Sequence, residues 1–168
     1  MRYIPRAGTD PSFMLKAMRE ASGEFRELLW GMRLGTLLQF GPPPDDDWTL
    51  MGIAYHLKGV ERLIAEQVEM ILTYPEPRIP HADLDDIPFF EDYDACDEEE
   101  LLDEFHYYRR RTSYMLWDLS AGDWERSGEH PYRGRRTIRD TIRELYQHDL
   151  EHLWQARRMV EHLPSRRW

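Results

Sequence analysis

TIRDTIRELYQHDLEHLWQARRMVEHL, residues 137 to 163, carries a stripe of Ile138, Ile142, Leu145, His148, His152, Ala156, Met159 and Leu163, with every step three or four residues. That spacing is one face of an α-helix. The helix spans roughly Thr137 to His162, and Pro164 stops it. Two members of the stripe are histidines at positions where the pattern demands an apolar side chain. A buried polar group without a hydrogen-bond partner costs about 1–3 kcal/mol, so both imidazoles need partners. They lie one turn apart and point the same way.

Three more segments show the same period. From Pro11 to about Leu38, the residues Phe13, Ala17, Ala21, Phe25, Leu28, Met32 and Thr36 predict a first helix. GPPPDDD, residues 41–47, stops it and supplies acidic capping residues for a second helix starting near Asp47 or Trp48. That helix carries Ile53, Leu57, Val60, Ile64, Val68 and Ile71, and it ends by Tyr74. Residues 75–97 are rich in Pro and Asp and too long for a tight turn; connections of this length are often functional. A third helix runs from about Asp97 through Leu101, Phe105, Tyr108, Thr112, Met115 and Leu119. Residues 121–137 read as an irregular link with no strand pattern. The expected fold is all-α: a four-helix bundle with a long crossover connection between helices two and three, forming a single domain over residues 1–168.

Composition narrows the function. A net charge of −10 argues against nucleic acid as a partner, because phosphate backbones are held largely by Lys and Arg. The single cysteine, Cys96, excludes an internal disulfide framework and a Cys-rich zinc site, so a metal here must be held by histidines and carboxylates. No run of about 18 apolar residues and no signal-peptide pattern occurs, from which we expect a soluble, cytoplasmic protein with no membrane partner.

His56 in the second helix sits three residues after Ile53 and four before Val60, on the flank of that helix's stripe. An i, i+4 histidine pair on one helix and a third histidine on a facing helix can close three corners of a tetrahedron around a divalent cation. The fourth corner then stays open for water or substrate. His56, His148 and His152 are therefore the candidate metal ligands. His81, His106, His130 and His162 fall in loops or off the stripes and read as surface residues.

WTLMGIAYHL, where a Trp precedes the helix carrying His56, and RGRRTIRDTIRELYQHDLEHLWQ, with its H-D-x-x-H-x-x-Q, resemble the DinB/YfiT-like metalloenzyme superfamily of four-helix bundles. The resemblance implies a divalent transition metal, zinc or nickel, on His56, His148 and His152, and a homodimer. It matches Gln155 to the family's trailing Gln, which can point toward the site as a hydrogen-bonding group or stand as a half-exposed helix residue. Asp149 lies about 100° around the helix from His148, which favours a supporting or capping role over ligation.

Characterised members of the family use low-molecular-weight thiols such as bacillithiol or mycothiol. The resemblance therefore implies a metal-dependent thiol S-transferase acting on a small-molecule substrate, since a metal with an open position can hold a thiol and depress its pKa. Arg133, Arg135 and Arg136 could hold the carboxylates of such a thiol, or form a solvated turn. A second reading is a hydrolase that uses a metal-activated water. HDLEH also reads as H-x-x-E-H, with Glu151 as base, though only 16 residues follow His152 to supply a downstream ligand; H-E-x-x-H fails because position 149 is Asp. A third is a bundle that binds a small molecule or partner without turnover. Within the acidic crossover, Phe89, Phe90 and Tyr93 are candidates for a lid over the site or for a dimer contact.

Overall fold

The computed structural model describes residues 10–80 and 97–163. Four long helices form the bundle: α1 (Pro11–Leu29), α3 (Leu50–Thr73), α4 (Glu98–Trp117) and α6 (Ile138–His162), with single turns α2 (Leu34–Leu37) and α5 (Ala121–Trp124) between them. Their starts follow capping chemistry. Asp10, Thr49, Asp97 and Thr137 each accept a backbone N–H of the first turn with a side-chain oxygen. At α6 the cap is reciprocal: Thr137 Oγ1 accepts from the Asp140 amide, and the Asp140 carboxylate accepts from the Thr137 amide and hydroxyl.

Two interior clusters fix the directions of the helices. One joins the end of α1 (Phe25, Leu29), the starts of α3 (Leu50, Ile53) and α4 (Leu101, Phe105), and the end of α6 (Ala156, Met159). The other joins Met14, Met18, Val68, Ile71, Leu116, Ile138 and Ile142. So α1 runs with α6, α3 runs with α4, and the two pairs are antiparallel. Helices α3 and α4 can run the same way only if residues 74–97 travel the length of the bundle. A helix of 24 residues spans about 36 Å, a distance some 11 extended residues can cover. The long crossover is therefore a topological requirement. Its beginning is fixed to the rest of the fold: Ile79 N–H donates to Glu129 O, and Glu129 N–H donates to Pro77 O.

Three expectations need correction. The first helix ends at Leu29 and not near Leu38, because Gly31 takes a left-handed backbone (φ 72°) that terminates it. Its buried stripe is Met14, Met18, Ala21, Phe25 and Leu29; Phe13 is exposed and packs edge-on against Tyr146 instead. The link 121–137 contains a two-stranded antiparallel hairpin, β1 (Ser127–His130) and β2 (Gly134–Thr137), whose SGEH and GRRT are too short and polar to show alternation. Residues 81–96 with Cys96, Phe89, Phe90 and Tyr93, together with His81, lie outside the described residues.

Candidate metal centre

The Thr49 cap starts α3 so that His56 comes two turns in and faces α6, where His148 and His152 sit one turn apart. The three rings pack together with centroids 4.5–4.9 Å apart, His152 edge to face with each of the other two and His56 tilted against His148. Their Nε2 atoms converge: His56 Nε2 is 2.9 Å from His148 Nε2, which is 3.1 Å from His152 Nε2. His56 and His148 are buried and His152 is half-buried. Among the described residues these three alone form a group with metal-ligand geometry.

Proton bookkeeping shows what such a cluster lacks. His152 Nδ1 lies 2.7 Å from Gln155 Oε1; an amide oxygen only accepts, so the proton is on Nδ1 and His152 Nε2 presents a lone pair. His148 Nε2 could donate one N–H to that lone pair or to His56, not to both. With a proton on His148 Nε2, one of its two neighbours is left with at most a bent share of a single N–H; without it, the lone pairs of His148 and His152 face each other. A cation at the centre resolves every contact at once. With zinc–nitrogen bonds of about 2.0–2.1 Å, tetrahedral ligand nitrogens stand about 3.3–3.4 Å apart, within a few tenths of the observed spacings.

Two of the rings are held in the protonation state that a ligand needs. Burial, helped by His152, lowers the His56 pKa to about 3. Burial lowers that of His148 to about 2, with His152, His56 and Arg109 adding to the shift. Both are neutral at physiological pH, as metal ligation requires. His56 Nδ1 and His148 Nδ1 have no hydrogen-bond partner among the described residues.

Trp48 forms one wall, its ring 5.4 Å from that of His56 and 5.3 Å from that of His152. The loop that presents it is locked to α6. Asp45 accepts two hydrogen bonds from Arg158, at 3.0 and 3.1 Å. Gly41 packs so tightly that a Cβ there would stand 2.7 Å from Asp45 O and 2.9 Å from Met159 Cγ.

Other candidates fall elsewhere. Asp149 turns away from the imidazoles and lies 2.7 Å from Arg109 Nη2. Glu151 is exposed, so nothing places it as the base of an H-x-x-E-H site. Arg133 and Arg136 both pair with Glu144 and so hold the hairpin to α6, while Arg135 donates to Ser127 Oγ at 2.8 Å and ties the two strands to each other. His130 is buried rather than exposed: its Nδ1 accepts from the amides of Tyr132 and Arg133 and organises the hairpin turn.

A second buried polar cluster lies beside the first. Arg109 on α4 donates from Nε to Glu61 on α3 (2.8 Å) and from Nη1 to Met18 O on α1 (2.6 Å), while its Nη2 faces Asp149 on α6. Burial would lower the Arg109 pKa, but Asp149 and Glu61 hold it above its ordinary value. Asp149 is pushed up to about 7 by burial, with Glu61 adding to the shift and Arg109 opposing it. Sequence reading passed over Arg109 as one of three consecutive arginines. The signal was present: Phe105, Arg109, Thr112 and Leu116 step by 4, 3 and 4, which puts Arg109 in the core register.

The DinB superfamily model matches residues 17–156, a span that includes all three histidines and most of the bundle. The chain belongs to the DinB superfamily. Its fold is also that of YfiT from Bacillus subtilis, described as a probable metal-dependent hydrolase with an unusual four-helix bundle topology. The TM-score is 0.80 at 15% identity, covering 96% of this chain and 90% of that one. No curated protein matches the sequence. Among the described residues, no helix is long and apolar enough to cross a membrane.

Proposed function

We propose that this DinB-superfamily chain is a metal-dependent enzyme in which His56, His148 and His152 hold one divalent transition-metal ion, zinc or nickel, with a position left for a small-molecule nucleophile. The observation that carries the reading is the convergence of three Nε2 atoms that imidazole protons alone cannot satisfy. A divalent ion there supplies Lewis acidity, which lowers the pKa of a bound thiol or water and orients it. None of the three side chains is a carboxylate, so the ion's charge is not offset by a ligand anion, which favours a nucleophile that becomes an anion. Gln155 holds the His152 ring with its lone pair inward, and Trp48 excludes water from one side.

The proposed reaction is transfer of a low-molecular-weight thiol to a small electrophile in a cytoplasmic homodimer, as the family resemblance suggests. A second reading, hydrolysis by activated water, is favoured by the description of YfiT. The two separate in one set of assays. Protein reconstituted with zinc or nickel should hold one metal per chain and lose it in His148→Ala. A panel of thiols with monochlorobimane should give metal-dependent conjugation, whereas metal-dependent cleavage of esters or amides without thiol would select hydrolysis. Markedly less than one metal per chain after reconstitution overturns both.

A further inference from the structure

On the side of the bundle opposite the histidines, α1 and α4 leave a groove of about 910 Å³. Its walls are chemically distinctive. Arg109 Nη1 donates to Met18 O, which sets those two residues at one level, so the residues that follow them, Arg19 and Arg110, stand at the same height on opposite helices. Both are exposed, and neither pairs with a described carboxylate. Their neighbours on the same helices behave differently: Arg26 pairs with Asp103, Arg109 with Glu61 and Arg111 with Glu69. In a chain with 32 acidic and 22 basic residues, two unpartnered guanidiniums facing one groove form a local positive centre.

Two further observations point to a ligand. Ser113 Oγ and His106 Nδ1, on half-buried residues of the groove lining, have no hydrogen-bond partner among the described residues. Trp117 and Tyr114, 67% and 85% exposed, flank the groove with aromatic surface that no described element covers. The floor contributes no net positive charge, because Arg109 is already met by Glu61 and Asp149. Attraction must therefore come from the rim. Glu20, the acidic residue of the lining, is tied to Lys16 at 3.6 Å.

We propose that the α1/α4 groove is a second binding site, separate from the histidine centre, for a small organic anion: a phosphate or carboxylate held between Arg19 and Arg110, with an aromatic body against Trp117 and Tyr114. Guanidinium forks suit such groups, and stacking on an aromatic ring adds specificity for the body. The proposal does not depend on the chemistry of the metal centre.

Phenyl phosphate is the probe, titrated into isotopically labelled protein and followed by amide and indole NMR shifts. The expected result is saturable shifts at Ser22, Ser113 and the Trp117 indole. Affinity should fall at least tenfold in the double variant Arg19→Gln, Arg110→Gln, whose side chains are exposed and whose fold should be untouched. Phenol and inorganic phosphate should each bind at least tenfold more weakly than phenyl phosphate. The proposal is overturned by undiminished affinity in the double variant, by shifts confined to residues around His56 and His148, or by no saturable binding, including the case where a second copy of the chain covers this face.

Discussion

Two buried polar clusters share the middle of the bundle, and neighbouring residues of α6, His148 and Asp149, belong one to each. In the Glu61–Arg109–Asp149 cluster, opposite charges close on each other and tie three helices together. In the His56–His148–His152 cluster, like groups converge and no assignment of their protons satisfies every contact. The first is held by ion pairs of opposite charge, although Glu61 Oε1 and Asp149 Oδ1 have no hydrogen-bond partner among the described residues; the second has no opposite charge within it, and a cation is what would complete it. The contrast teaches that burial and proximity do not separate a structural polar cluster from a ligand site. The sign and direction of the lone pairs do.

The largest effect should come from breaking the charged cluster. Arg109→Met leaves two carboxylates buried without a counter-charge, and such a loss costs about 3–5 kcal/mol. Urea unfolding should show that drop, whereas replacing all three charged residues by apolar side chains of similar size should restore much of the stability. A loss below about 1 kcal/mol on Arg109→Met would mean that water reaches the cluster and that it does not hold the bundle together.

The histidine cluster should respond in the opposite way. Removing one of three mutually unsatisfied rings should leave the metal-free fold little changed. What it removes is the metal's contribution: a ligand present at 100 to 1,000 times its Kd stabilises the folded state by about 2.7–4.1 kcal/mol. Thermal melts with zinc or nickel should therefore rise for the wild type and stay flat for His148→Ala. If His148→Ala destabilises the metal-free protein as strongly as Arg109→Met does, the three rings are a packing element and the contrast between the clusters collapses.

Gln155 tests the intermediate case, a residue that acts through another. Its Oε1 fixes the tautomer of His152, and losing a hydrogen bond of this kind lowers metal affinity about 10–100-fold. Gln155→Leu should weaken zinc binding by that factor in competition with a chelator while leaving the metal-free melting curve nearly unchanged. Gln155→Glu, which keeps an acceptor at the same place, should recover most of the affinity. Equal loss in both variants would assign Gln155 to packing.

Much of this was legible in the sequence, for identifiable reasons. The α3 and α6 stripes follow helical period along their whole length, so the bundle, the crossover and the facing of His56 toward His148 could be read from register. The hairpin was not legible, because Ser127–His130 and Gly134–Thr137 owe their pairing to backbone hydrogen bonds and to the Pro77–Ile79 segment rather than to side-chain alternation. The first-helix stripe holds at Ala21 and Phe25 and slips by one residue toward its ends, where Met14, Met18 and Leu29 are buried instead of Phe13, Ala17 and Leu28; Phe13 is apolar yet caps the outside of Tyr146. Arg109 obeyed the core register, but an arginine there has no meaning until Glu61 and Asp149 are known to face it from two other helices. The Trp48 wall depends on the Asp45–Arg158 link, a contact between residues 113 positions apart.

Both clusters hang on α6, and the smallest effect expected concerns how that helix begins. The Thr137–Asp140 capping box satisfies first-turn amides, and losing a cap of this type costs about 0.5–2 kcal/mol, with the lower part of that range expected at a partly exposed site. Burial alone would raise the Asp140 pKa, but the hydrogen bonds from Thr137, helped by Arg136 and Arg143, hold it below the ordinary carboxylate value. Because the folded pKa is the lower one, the unfolded chain takes up the proton first. The stabilisation is then fully present above the unfolded carboxylate pKa and is lost as pH falls through the folded one. Asp140→Asn should therefore lower stability modestly at neutral pH, and the gap to the wild type should close in acid, below about pH 4. A gap that persists unchanged into acid would show that Asp140 contributes as a neutral hydrogen-bonding group. Metal affinity at the histidines, two turns further along α6, should not move in either case.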